Sequence, residues 1–362
     1  MVDTFTVEFK SVEKVYPNGT RAVDNVSFAI RPGQIVALLG PSGCGKTTTL
    51  RLINRLEEAT GGQILVRGRD IKQQRPEELR RSIGYVIQEG GLFPHISVSA
   101  NVATVPKLLG WNRERIRERV REVLSLVGLP EEEFGKRRPS QLSGGQRQRV
   151  GVARGLAADP DILLMDDPFG ALDPGTRTSI QDEFLRLQED LHKTVIMVTH
   201  DITEAGKMAD EIVLMSKGAV TQKGALREIL LEPANQEVCE FLGAQGHGLA
   251  LESLYLDGLL PKLEPREITD ETIEISKRTT LGQTLVILAE VRSGTMLRVD
   301  DFADADGKGY DAIAVRDEIL KDLRQAESAF KSDRASPDSS TPTTNTSNPS
   351  SPANTATQSE DS

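Results

Sequence analysis

The 362-residue sequence holds only two cysteines, Cys44 and Cys239. That excludes a disulfide framework and a four-cysteine metal site, and a reducing cytoplasm is the expected compartment. Long apolar runs are missing as well. Stretches such as Ile35–Leu39 and Ile162–Met165 have the length of strands, far below the roughly 18 consecutive apolar residues of a membrane-spanning helix. No basic-then-apolar segment opens the chain, so neither a secretory leader nor a membrane span is expected. Excess positive charge is also absent. The net charge is −10, and residues 1–243 balance 32 Lys+Arg against 33 Asp+Glu, which leaves no basic footprint for general nucleic-acid binding.

What is present is ordinary for a globular protein that buries a sizeable core: 38% hydrophobic and 27% charged residues. The length suggests two domains and a tail. Runs at Phe5–Phe9, Val23–Ile30, Ile35–Leu39, Ile83–Ile87, Ile162–Met165, Val195–Thr199 and Ile212–Met215 read as strands, separated by turn signals or helical patterns. Strands alternating with helices indicate an α/β domain with a mostly parallel sheet over residues 1–243. Between 89 and 158 the pattern is helical, with Ile116, Val120, Val123, Leu124 and Val127 on one face. Arg113, Arg115, Arg117, Arg119 and Arg121 alternate with glutamates there, the pattern of a solvated helix face. Residues 244–325 read as a small α+β accessory region, with strand candidates Thr284–Leu288 and Met296–Val299 and a helix candidate Ala314–Leu323. Residues 326–362 turn to Ser, Thr, Pro and Asn, a composition expected to be disordered.

The most informative local motif is Gly40-Pro41-Ser42-Gly43-Cys44-Gly45-Lys46-Thr47, between the strand Ile35–Leu39 and a helical stretch from Thr48. It matches G-x-x-x-x-G-K-[ST] in the strand–loop–helix context that the motif needs. Its glycines let backbone N–H groups converge on phosphate oxygens, at a helix N-terminus that favours an anion. Lys46 is placed to reach β- and γ-phosphates, and Thr47 to ligate Mg²⁺. A second element, Asp166-Asp167, ends the apolar run Ile162–Met165. Asp166 is placed to hold Mg²⁺ through water, and Asp167 to orient or deprotonate the attacking water. A third, Ser143-Gly144-Gly145-Gln146, opens another helical pattern and forms a second anion cradle. One triphosphate has no use for two cradles in one chain, whereas a head-to-tail dimer does.

This ordered set resembles the ATP-binding-cassette (ABC) ATPases over residues 5–243. The resemblance implies a P-loop ATPase fold with an antiparallel β subdomain and an inserted helical subdomain, using ATP and Mg²⁺. It implies that Tyr16 stacks on adenine and that nucleotide contacts extend from Gly40 through Thr48. It further implies that Gln88 senses the metal and the water, that Ala171-Leu172-Asp173 runs between subunits, and that His200 is the switch histidine. Where the family usually has glutamate after the metal-binding aspartate, this chain has Asp167. The missing methylene retracts the carboxylate by about 1.5 Å. With every other catalytic element intact, a site adjusted to aspartate is expected rather than an inactive one.

The stretch Gln88-Glu89-Gly90-Gly91-Leu92-Phe93-Pro94-His95 and its continuation Val105-Pro106-Lys107-Leu108-Leu109-Gly110-Trp111 resembles ATPases of importers for glycine betaine, choline, carnitine or proline betaine. Ile53-Asn54-Arg55-Leu56 and Pro168-Phe169-Gly170-Ala171-Leu172-Asp173-Pro174 point the same way. The implied partners are a second ATP-binding subunit, membrane permease subunits and, indirectly, a substrate-binding protein, with the chain on the cytoplasmic face of the cell membrane. An importer of another small solute and a non-transport ABC ATPase are the alternatives. Against the latter, there is no coiled-coil insertion between Lys46 and Ser143 and only one cassette. Many such relatives carry paired CBS modules after the cassette, but residues 244–325 show no clear CBS pattern. The acidic run Asp300–Gly307 lacks EF-hand ligands and reads as a solvated loop.

Overall fold

The computed structural model describes residues 5–87, 91–170, 172–243, 259, 263, 266–267, 272–276, 279–288, 296–300 and 308–332. Strands β1 (Val7–Val15) and β2 (Arg21–Ile30) pair antiparallel, and β3 (Ile35–Leu39) leaves them to start a different sheet. β4 (Gly61–Val66) and β5 (Arg69–Asp70) return, giving an antiparallel sheet of order β2-β1-β4-β5. The first strand begins two residues later than Phe5 and runs on to Val15, past the polar positions that hid its continuation.

β6 (Ile83–Val86), β7 (Ile162–Asp166), β8 (Thr194–Val198), β9 (Glu211–Ser216) and β10 (Ala219–Gly224) join β3 in a second sheet of order β10-β9-β3-β8-β7-β6. All its pairings are parallel except β9 with β10. The central strands β3, β7 and β8 are buried at every position and, apart from Thr194 and Asp166 at strand ends, apolar, because both faces are covered. Ile35, Ala37 and Leu39 enter the core cluster shared with the helical segment, whereas Val36 and Leu38 point into the cluster under the antiparallel sheet. Leu163 and Met165 against Ile162 and Leu164 repeat the same two-residue alternation.

The helical segment includes Arg113–Leu126 and Gly144–Leu156. Val120, Val123 and Leu124 are buried as the periodicity requires. One of the five arginines departs from the solvated face: Arg119 donates to the carbonyls of Leu156 (2.9 Å) and Ala157 (3.3 Å). It thus closes the C-terminal end of the Gly144–Leu156 helix, a favourable place for a cation.

In the accessory region, β11 (Arg266–Glu267), β12 (Thr272–Ser276), β13 (Met296–Asp300) and β14 (Lys308–Asp311) form a sheet of order β11-β14-β13-β12, in which β12 and β13 are parallel. The expected strand at Thr284–Leu288 is instead the end of a helix, Leu281–Leu288. Leu281, Thr284 and Leu288 are buried and Ile287 is exposed, a helical spacing that a run of five residues is too short to reveal. The final helix spans Ala312–Ser332 and so includes residues 326–332, assigned by composition to the tail. The segment Gln325–Lys331 carries good helix formers, and the Ser/Pro/Asn tract starts only after it. Residues 333–362 and the acidic run 301–307 lie outside the described residues, as does most of 244–265. Leu259, Ile275, Tyr310, Val315 and Ile319 belong to the same apolar cluster as the cassette residues Leu226 and Ile229. An Arg227–Asp322 ion pair, with Asp322 almost fully buried, ties the last helix to the cassette helix Leu226–Leu231.

Candidate nucleotide-binding and catalytic site

The parallel registers decide what meets at the carboxyl edge of the main sheet. Leu38 of β3 aligns with Val198 of β8, and Val198 aligns with Asp166 of β7. The loop after Leu39, the acidic pair and Thr199-His200 therefore emerge side by side, at the edge where open α/β sheets bind ligands.

The loop from Gly40 wraps the N-terminus of helix Lys46–Ile53. Gly40 and Gly45 have φ of +146° and +105°, and a Cβ on either would stand 2.1 Å from a backbone oxygen, of Met215 and Ala22 respectively. Only glycine fits there. Lys46 Nζ is buried in the concavity and donates to the carbonyls of Gly40 (2.6 Å) and Pro41 (2.9 Å). Cys44 is buried behind the loop, and burial pushes its thiol above the ordinary range, so it is an inert filler. The Tyr16 hydroxyl lies 3.5 Å from Thr48 Oγ1, and Lys14 sits over the Tyr16 ring, so the aromatic borders the loop.

Thr47 donates to Asp166 Oδ1 at 3.0 Å, which brings the two expected metal ligands together. The other carboxylate oxygen receives Arg51 Nη2 and the Tyr85 hydroxyl, both at 3.3 Å. Asp166 is thereby fixed on both sides, as outer contacts fix metal-binding carboxylates. Arg51 and Tyr85 were not singled out by the sequence. Their separations of 115 and 81 residues from Asp166 leave no local signal.

Asp167 follows in the left-handed region at φ +46°, its N–H bonded to Val198 O, and this turns its side chain back over Gly170. His200 Nδ1 stands 3.6 Å from Asp167 Oδ1. The carboxylate is 19% exposed and the imidazole 63%. Burial raises the Asp167 carboxyl above the usual range, with His200 opposing and Asp166 reinforcing the shift. A carboxylate made more basic in this way suits proton abstraction from water. Gln88 and Ala171 lie outside the described residues.

Ser143 caps the helix Gly144–Leu156. Its Oγ accepts from Gln146 N at 3.2 Å, and Gln146 Oε1 accepts from Ser143 N at 3.0 Å. This reciprocal box fixes Ser143, Gly144, Gly145 and Gln146 as a pre-formed helix N-terminus. Gly145 is packed on Thr176, where a Cβ would come within 2.7 Å of Cγ2.

Sequence reading also missed Asn101. Wholly buried, it accepts from Phe93 N and donates to the carbonyls of Phe93, Ile96 and Ser97. It holds the loop Leu92–Ser97 so that Phe93 stays 44% exposed. Arg154, on the helix begun by Ser143, donates to Gly91 O at 2.7 Å and links that loop to the serine cradle.

A glycine cradle on a strand–helix turn, facing a strand-end carboxylate paired with its threonine, defines a P-loop ATPase. Residues 23–170 match the model of the ABC transporter family. The chain is 43% identical over 329 residues to the glycine betaine/carnitine/choline transport ATP-binding protein OpuCA of Bacillus subtilis, covering 90% of this chain and 83% of that one. It is 48% identical over 248 residues to the glycine betaine uptake system ATP-binding protein YehX of Escherichia coli, covering 68% and 80%. Among solved structures it is similar to the dimeric, ADP- and phosphate-bound post-hydrolysis state of the ATP-binding cassette MJ0796. That match has a TM-score of 0.55 and 37% identity, over 61% of this chain and 98% of that one. The chain belongs to the ATP-binding proteins of the ABC transporter family and hydrolyses ATP to drive transport. No described helix is long and apolar enough to cross a membrane.

Proposed function

We propose that this ATPase energises import of quaternary-amine osmoprotectants such as glycine betaine, choline, carnitine or proline betaine. The observation that carries the reading is the 43% identity to a glycine betaine/carnitine/choline transport protein, sustained over 90% of this chain and so beyond the cassette. The Gln88–Trp111 wording supports it, and the exposed Phe93, Leu108 and Leu109 supply an apolar surface for a permease. The chain then works at the cytoplasmic face of the cell membrane, bound to permease subunits fed by a substrate-binding protein.

Two copies close head to tail on two ATP molecules. Each nucleotide lies on one subunit's Gly40–Thr48 loop with Tyr16 on the adenine, under the partner copy's Ser143–Gln146 cradle. Thr47 and Asp166, already 3.0 Å apart, fit Mg²⁺ with Gln88 as a further ligand. Mg²⁺ there would neutralise charge on the β- and γ-phosphates. Lys46 exchanges its two carbonyl partners for phosphate oxygens. Asp167 accepts the proton of the attacking water, and His200 orients the γ-phosphate against it. Hydrolysis and loss of the γ-phosphate then reopen the dimer and reset the permease.

The test is mass spectrometry of what co-purifies with the chain from detergent-solubilised membranes. A permease with a quaternary-amine-binding protein is the expected result. Ribosomes or DNA without a permease would contradict the import reading, and a permease accompanied by a binding protein of another class would change the substrate.

A further inference from the structure

One buried acid near the hydrolysis site has no part in the mechanism above. Glu204 lies in the first turn of helix Ile202–Met208, three residues after its cap Asp201. A glutamate at that position commonly reaches back to the N–H of the capping residue. Here the Asp201 N–H is taken by Thr199 Oγ1 at 3.0 Å. Glu204 instead turns inward and is only 4% exposed. Its Oε2 receives a long hydrogen bond, 3.4 Å, from Gln181 of helix Pro174–Leu191, and its buried Oε1 has no hydrogen-bond partner among the described residues.

The charged and polar groups facing it come from every side of the site. Asp167 faces it from the end of β7, Thr199 from the end of β8, Arg177 from the helix carrying Gln181, and Asp201 from its own helix. Arg177 Nη1 is also 3.5 Å from Asp201 Oδ2, while Asp201 Oδ1 caps the helix through Thr203 N and Glu204 N. An ionised Glu204 would be held, out of water and beside two other carboxylates, by little more than the Thr199 hydroxyl and the long Gln181 bond, an arrangement that favours the neutral acid. It would also compete with Asp201 for Arg177. Asp201 anchors both Thr199 and the helix, and His200 lies between these anchors.

We propose that Glu204 is a positioning residue for hydrolysis: a proton-holding carboxyl beneath the Thr199–Asp201 segment whose charge sets where His200 stands against Asp167. The proposal rests on the reading of Asp167 and His200 as hydrolysis residues. Burial, opposed by Thr199 and reinforced by Asp167 and Asp201, raises this carboxyl to about 7, so the switch falls near neutral pH.

The experiment is the pH profile of kcat at saturating MgATP from pH 6 to 9, for the full chain and for Glu204→Gln, which copies the neutral acid in shape. Wild-type kcat is expected to fall above pH 7, to about thirtyfold below its pH 6 value at pH 8.5 if only the protonated form is competent. Glu204→Gln is expected to hold its rate across that range with KM for ATP unchanged. Carbon-13 spectra of carboxyl-labelled glutamate provide a readout independent of activity: one glutamate titrating near pH 7 in the wild type and missing in the variant. Superimposable pH profiles beside an inactive Asp167→Asn would overturn the role of Glu204 alone. Full activity of Asp167→Asn would overturn the assignment of the base, and with it the route from Glu204 to hydrolysis. A Glu204 signal titrating near 4.5 would also overturn the proposal.

Discussion

Ser143 carries a structural duty and a proposed chemical one, and two substitutions separate them. In the resting chain its hydroxyl accepts from Gln146 N at 3.2 Å and caps the Gly144–Leu156 helix. Ser143→Ala removes that acceptor, a loss of about 1 kcal/mol. For a unit of this size that lowers the melting temperature by about 2–4 °C. Ser143→Asp restores an equally good cap. It therefore melts within about 1 °C of wild type in the absence of nucleotide. Across the dimer the two variants should fail alike. A hydrogen bond to a charged group is worth about 1.5–3 kcal/mol, so losing it weakens ATP-driven closure by roughly tenfold to a hundredfold per site. The aspartate adds like-charge repulsion against the γ-phosphate. The assay is thermal melting of the full chain, together with light scattering of ATP-dependent dimers in an Asp167→Asn background that slows turnover. A Ser143→Asp chain that dimerises with ATP as well as its Asp167→Asn parent would refute the partner cradle. An Ser143→Ala chain with unchanged melting would refute the capping role.

Asp167→Asn should lower phosphate release at least 10²-fold while leaving binding of a fluorescent ATP analogue intact; undiminished turnover would move the base elsewhere. A Cβ on Gly170 would stand 2.4 Å from Asp167 Oδ2, so Gly170→Ala pushes the carboxylate aside. A displacement of about 1 Å can cost on the order of 10²-fold in kcat, again read by phosphate release. Asn101→Ala strands three backbone groups of the Phe93 loop, Phe93 N–H and the carbonyls of Phe93 and Ile96, while Ser97 O keeps its bond from the residue 101 N–H. It should lower stability by about 2–4 kcal/mol in urea titration and reduce solute uptake more than it reduces ATPase activity of the isolated chain. Glu204 also marks the pH dependence of folding. Its carboxyl rises from 4.5 to about 7 in the folded chain, so the folded state alone holds the proton between those values. Stability relative to Glu204→Gln therefore falls as pH rises through that window, by about 3 kcal/mol in all, and is level above pH 7. Melting temperatures of the two chains at pH 5 and pH 8 check this sign.

The residues that gather at the carboxyl edge of the main sheet were legible in the sequence because each group of them is local. Gly40–Thr47, Ser143–Gln146 and Asp166-Asp167 are each contiguous, and the strands beneath them are apolar runs whose length alone announces burial on both faces. The contacts that tune the site have no such signature. Arg51 and Tyr85 reach Asp166 from other elements, and Asn101 acts on a loop eight residues upstream of it. Glu204 carries no local motif, and only the fold places Gln181 and Thr199 around it. Thr284–Leu288 failed for a related reason: five apolar-rich residues fit either period, and Leu281, whose burial completes the helical spacing, lay outside the run. Arg119 shows the same limit on the surface, since its partner carbonyls are more than thirty residues away.

The most direct measurement is uptake of radiolabelled choline and glycine betaine at high osmolarity by cells lacking this chain, complemented with the wild type or with Asp167→Asn at matched membrane levels. Import restored by the wild type and not by Asp167→Asn is the expected result. Import of neither compound by the wild type, or equal import with both chains, would contradict a quaternary-amine importer driven by hydrolysis at Asp167.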